Sequence, residues 1–67
     1  MSEVFHRWLS RQRDRADAVG DLARDAHADP DWDRRSCYSL RDRLDATAAP
    51  PEAYDALTQA VHEWLPT

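Results

Sequence analysis

"PEAYDALTQAVHEWL", residues 51–65, is the stretch on which the fold turns. Tyr54, Leu57, Val61, Trp64 and Leu65 recur at the three- and four-residue spacing that lines side chains along one face of a helix, with Ala53 and Ala60 beside them. Pro51 suits the first turn, where its missing N–H has no partner to lose, and Pro66 stops the helix. The spacing predicts a helix over 51–65 whose apolar stripe needs other elements to cover it.

Three earlier segments supply the cover. In "SCYSLRDRLDAT" (36–47), Cys37, Leu40 and Leu44 share a face and Ser36 is the expected N-cap, giving a helix over 37–46. In "ADAVGDLARDAHA" (16–28), the stripe is Val19, Leu22, Ala23 and Ala26, with Asp17 capping a helix over 17–28. Gly20 costs that helix about 1 kcal/mol relative to Ala, so it marks a close contact or a weak first turn. In "SEVFHRWLSRQR" (2–13), Val4, Phe5, Trp8 and Leu9 make the stripe, Ser2 is the expected N-cap, and Arg7, Arg11 and Asp14 point elsewhere, giving a helix over 3–13. No alternating strand pattern competes. Short connections of roughly 3 to 8 residues between short helices favour a single all-α domain over 1–67, packed as a compact orthogonal four-helix bundle.

At 67 residues, folding buries only about 60% of the surface of the open chain, so each large side chain matters. No apolar run approaches the roughly 20 residues of a membrane span. One cysteine cannot form an internal disulfide, and the chain does not open like a signal peptide, so the expected compartment is a reducing cytoplasm. All nine basic residues are Arg, and Ala, Asp and Pro abound, the composition of a GC-rich bacterial genome.

"HADPDWD" (27–33) is the one motif that could carry a metal. Asp29, Asp31 and Asp33 have the D-x-D-x-D spacing that opens a calcium loop, but Arg34 stands where the turn glycine belongs and Leu40 where the bidentate Glu belongs. Zinc needs more than His27, and His6, His62 and Cys37 form no paired ligand motif. The aspartates therefore read as turn and cap residues, Pro30 blocks helix continuation, and Trp32 folds back under the helices. Cys37 reads as a small core thiol, and no nucleophile stands beside an oriented base. The expectation is a protein without catalytic residues, metal or cofactor.

Charge is the remaining handle. Arg7, Arg11, Arg13 and Arg15 make the first fifteen residues net basic, whereas residues 45–67 carry Asp45, Glu52, Asp55 and Glu63 and no Lys or Arg. Either these poles grip a partner or a second copy, or the first and last helices pack together and satisfy each other's charges, which is the favoured reading.

Taken in order, the four stripes resemble a known family. "FHRWLSRQRDRADAVGDLARDAHADPDW" (5–32), followed by Leu40, Leu44, Ala56, Ala60 and Trp64, is similar to the YozE-like proteins, small bacterial proteins with a sterile-alpha-motif-like fold of four helices. The chain departs from that pattern at Asp33, where the family usually has proline, and at Arg43 and Leu44, where it often has Tyr-Leu. The resemblance implies a sterile-alpha-motif-like arrangement, and a fold that commonly binds proteins, or itself, through its mid-section and the start of the last helix. It carries no catalytic residue set.

The leading expectation is thus a non-enzymatic protein-interaction module with an unidentified partner. Nucleic-acid binding is the first rival, with Arg7, Arg11 and Arg15, joined by Arg34 and Arg35, as the candidate contacts. The net charge of −4 and the long gap between the second and third helices stand against it. A small phage- or plasmid-encoded inhibitor of a host protein is the second rival.

Overall fold

Caps set where the helices begin. In the computed structural model, which describes residues 3–67, the Asp17 carboxylate accepts the Gly20 N–H at 3.0 Å and opens α2, Ala18–Ala28. Ser36 and Ser39 form a reciprocal capping box that opens α3, Cys37–Ala46, each hydroxyl accepting the other's backbone N–H. Pro51 stands in the first turn of α4, Pro51–Trp64. These three helices match their expected spans to within one residue.

The first helix is shorter than expected. α1 covers Phe5–Ser10 rather than 3–13. Val4 precedes it in extended conformation without a side-chain cap, and the expected cap Ser2 lies outside the described residues. Beyond Ser10 the backbone tightens into three-residue steps, with Gln12 N–H on the Leu9 carbonyl and Arg15 N–H on Gln12. Side chains supply what the lost helix would have, as Gln12 Nε2 donates to the Trp8 carbonyl and Arg13 Nε to that of Ser10.

The turn exists because residues 11–17 must fold back over the start of α2. A Cβ on Gly20 would lie 1.9 Å from the Arg15 carbonyl oxygen, so only glycine admits this approach. Arg24 ties the same loop down by donating to the carbonyls of Arg13 and Arg15.

One core unites the helices. Phe5, Trp8 and Leu9 from α1 meet Val19, Leu22, Ala23 and Ala26 from α2, with Leu40, Ala56, Leu57, Ala60 and Trp32 completing it. α4 packs against each of the other three helices, most extensively against α2, and the molecule measures 30 × 24 × 18 Å. The described residues form four helices and no strand, an all-α fold as expected.

Several stripe residues fall elsewhere. Val4 and Leu65 are about half exposed, because Val4 precedes the helix and Leu65 lies about 100° around α4 from Trp64. Trp64 takes the core-facing place, meeting Phe5 edge to face at 5.2 Å and donating its indole N–H to the Glu3 carbonyl at 2.7 Å. Cys37 and Leu44 are half-buried at the core margin, so the thiol is less enclosed than expected.

Candidate functional site

Two grooves run along the flanks of α2. The first lies between α2, the end of α3 and the start of α4, and has a volume of about 520 Å³. It exists because the chain leaves α3 through a left-handed residue. Ala48 has φ 52°, and the N–H groups of Ala49 and Ala48 return to the carbonyls of Leu44 and Asp45 at 3.0 and 3.3 Å. That closing motif is normally built on glycine. Pro50 and Ala53 follow it at the groove's edge, and Leu22, Leu40, Leu44 and Ala53 form the apolar side of the groove.

The rim of this groove is acidic. Asp21, Asp25, Asp29 and Glu52 line it against the single guanidinium of Arg43. Arg43 Nε donates to Asp29 Oδ2 at 3.0 Å, and the Asp29 carboxyl is held below its ordinary pKa by that contact and by the Asp31 N–H. Asp21 pairs with Arg24 on the solvent side. Asp25 and Glu52 are exposed and form no ion pair among the described residues.

The second groove, also of about 520 Å³, lies between α1, α2 and the loop after α2. Its geometry depends on Trp32. The buried indole donates to Ser39 Oγ at 2.9 Å, and Ser39 belongs to the box that starts α3, so the loop is pinned to the helix it precedes. Asp29 Oδ1 accepts the Asp31 N–H and Asp33 Oδ1 the Arg35 N–H, both at 2.9 Å. The aspartates of the D-x-D-x-D stretch thus serve as turn residues, and Arg43 already lies 3.0 Å from Asp29 and 3.6 Å from Asp31. Inside the second of these turns Arg34 takes a left-handed φ of 60° and lines the groove with His6, Arg7, Ser10, Arg11 and His27.

The five arginines singled out in the sequence therefore separate. Arg7, Arg11 and Arg34 share the second groove. Arg15 does not join them. It donates to both Glu63 oxygens, at 2.7 and 3.2 Å, and to Asp17 at 2.8 Å, which lowers the Glu63 pKa and raises its own. Charge satisfaction between the two ends of the chain is real, but it runs through the loop after α1 rather than along α1 itself. Arg35 is exposed and outside both grooves. Arg11 clasps Glu3 through both carboxylate oxygens.

The acidic groove was not legible in the sequence, since its walls come from three helices. His6 and His27 carried no local signal either, although His27 sits one residue from the core position Ala26. No group of three or more His, Cys, Asp or Glu side chains among the described residues is arranged to hold a metal ion, and no helix there is long and apolar enough to cross a membrane. Compared with protein-family models, curated proteins and solved structures, the chain matches none.

Proposed function

We propose that the protein is a non-enzymatic interaction module that takes a basic, apolar-anchored segment of another protein into the groove between α2, α3 and α4. The observation that carries this reading is an apolar strip, half-exposed at Leu44 and Ala53 over the buried Leu22 and Leu40, beside four carboxylates. An aliphatic or aromatic anchor entering it gains about 25 cal/mol for each Å² of apolar surface removed from water. The rim attracts cationic partners over longer range and penalises acidic ones.

Other features agree with a binding role. No polar or charged side chain among the described residues is buried, so none has the desolvated setting in which catalytic groups acquire shifted pKa values. A sterile-alpha-motif-like arrangement and kinship with the YozE-like proteins belong to the same proposal and rest on the residue pattern. Such folds commonly bind through the mid-section and the start of the last helix, which is where this groove lies. A cytoplasmic setting fits the lone half-buried thiol.

Nucleic-acid binding ranks second, because Arg15 and Arg11 are committed to carboxylates. A phage- or plasmid-encoded inhibitor would use the same groove, since blocking a host protein is also protein recognition.

The test is affinity capture from lysate of the native host, with nuclease and moderate salt, comparing the wild type with an Asp25→Lys/Glu52→Lys variant. A discrete protein held by the wild type and lost by the variant supports the reading. Recovery of nucleic acid, or of proteins released by nuclease or salt, overturns it in favour of phosphate-backbone contacts. A protein retained equally by both forms removes the groove from the interface.

A further inference from the structure

We propose that the second groove, between α1, α2 and the Trp32 loop, binds the dianion of a phosphate monoester. The site lies on the other flank of α2 from the protein-binding groove and does not depend on that reading.

Arg7 and Arg34 face this groove without an ion pair or hydrogen bond to any described residue, whereas Arg11, Arg15, Arg24 and Arg43 are all engaged by carboxylates. They come from separate elements, α1 and the loop after α2, and line one groove, the loop being anchored by the Trp32 indole. His6, His27 and the Ser10 hydroxyl line the same space. Glu3 also faces it and attracts Arg7 through space, but Arg11 holds both of its oxygens, so neither Arg7 nor Arg34 is tied up by a hydrogen bond to it.

The chemistry of the donors selects the ligand. Two guanidinium forks, two imidazoles and a hydroxyl offer more N–H and O–H groups than the two oxygens of a carboxylate can accept, and guanidinium binds phosphate through paired, charge-assisted hydrogen bonds. A phosphate monoester brings three terminal oxygens. The volume of about 520 Å³ admits a small organic group beside the phosphate, within the usual range of ligand pockets. A nucleic-acid strand fits less well. It needs a continuous cationic track and exposed aromatic faces, whereas Arg15 is neutralised beside Asp17 and Glu63, and Trp32 is buried.

Titration of the isotope-labelled protein, followed by amide NMR shifts, tests the site with four probes: inorganic phosphate, phenyl phosphate, a phosphoserine peptide and a single-stranded oligonucleotide. Sodium chloride at equal ionic strength is the control. Expected are saturable shifts centred on Arg7, Ser10, His27 and Arg34. Arg7→Gln and Arg34→Asn should each weaken binding about tenfold or more. Asparagine tolerates the left-handed backbone at position 34, and an unchanged melting temperature establishes that both variants fold.

Tighter binding of phenyl phosphate than of the peptide points to a free small-molecule ester, and the reverse order to a phosphorylated side chain. Both orders support the site. Shifts reproduced by chloride overturn the proposal, as does unchanged binding in both variants. So does an oligonucleotide that binds tighter than every monoester, with shifts spreading to Arg13 and Arg24.

Discussion

The carbonyl oxygen of Arg15 occupies the space into which a side chain on Gly20 would grow, 1.9 Å from the position of its Cβ. In an ordinary helix, Gly→Ala gains about 1 kcal/mol. Here the added methyl must displace backbone, and Arg15 carries the contact to Glu63 with it. Gly20→Ala is expected to cost about 1–3 kcal/mol net. Thermal unfolding followed by circular dichroism should show the loss, and an unchanged or raised midpoint would mean the 11–17 loop yields freely.

Ala48 presents the opposite case. It holds the left-handed conformation that ends α3, at φ 52°, which disfavours any residue with a Cβ. Ala48→Gly is expected to gain about 0.5–1 kcal/mol, raising the melting temperature by several degrees in a domain this small. A lowered midpoint would show that the groove floor draws support from the Ala48 methyl.

Trp64 joins the ends of the chain. Its ring meets Phe5 and its N–H meets the Glu3 carbonyl. Trp64→Ala should cost about 3 kcal/mol, and Trp64→Phe, which keeps much of the ring contact and loses the hydrogen bond, about 1 kcal/mol. Chemical denaturation of both variants checks the order. Equal losses would assign the effect to the hydrogen bond alone.

Acid should destabilise the fold for a stated reason. The carboxyls of Glu63, Glu3, Asp17, Asp29 and Asp33 are all held below their ordinary pKa, each chiefly by a hydrogen bond that favours the charged form. A depressed folded-state pKa gives stability that is fully present above the unfolded value and lost as pH falls through the folded one. The melting temperature should therefore hold from pH 7 to about 5 and fall below about 4. Glu63→Gln should lessen that fall while costing at most about 1 kcal/mol at neutral pH, because the pair is solvent-screened. A wild-type midpoint that does not drop in acid would contradict the assigned contacts.

Calcium or EDTA should leave the midpoint unchanged. Asp29 and Asp33 spend oxygens on backbone N–H groups, and Arg43 already supplies a cation beside Asp29 and Asp31. A calcium-dependent rise would restore the metal reading of the D-x-D-x-D stretch.

Sequence alone determined the helices whose signals are local. Asp17, Ser36 and Pro51 mark starts through the hydrogen-bonding capacity of single residues, and the stripes of α2 and α4 set which faces turn inward. It left Gly20 as either a close contact or a weak first turn, and could not show that the obstacle is the chain's own Arg15 carbonyl. Where α1 stops, which of Trp64 and Leu65 enters the core, and which arginines are free were decided by tertiary structure. Arg7 and Arg15 look alike in sequence, yet one opens onto a groove and the other is held by Glu63, 48 residues away. Local rules act over a few residues of chain, whereas a groove and the charge within it depend on distances that exist only after the helices have packed.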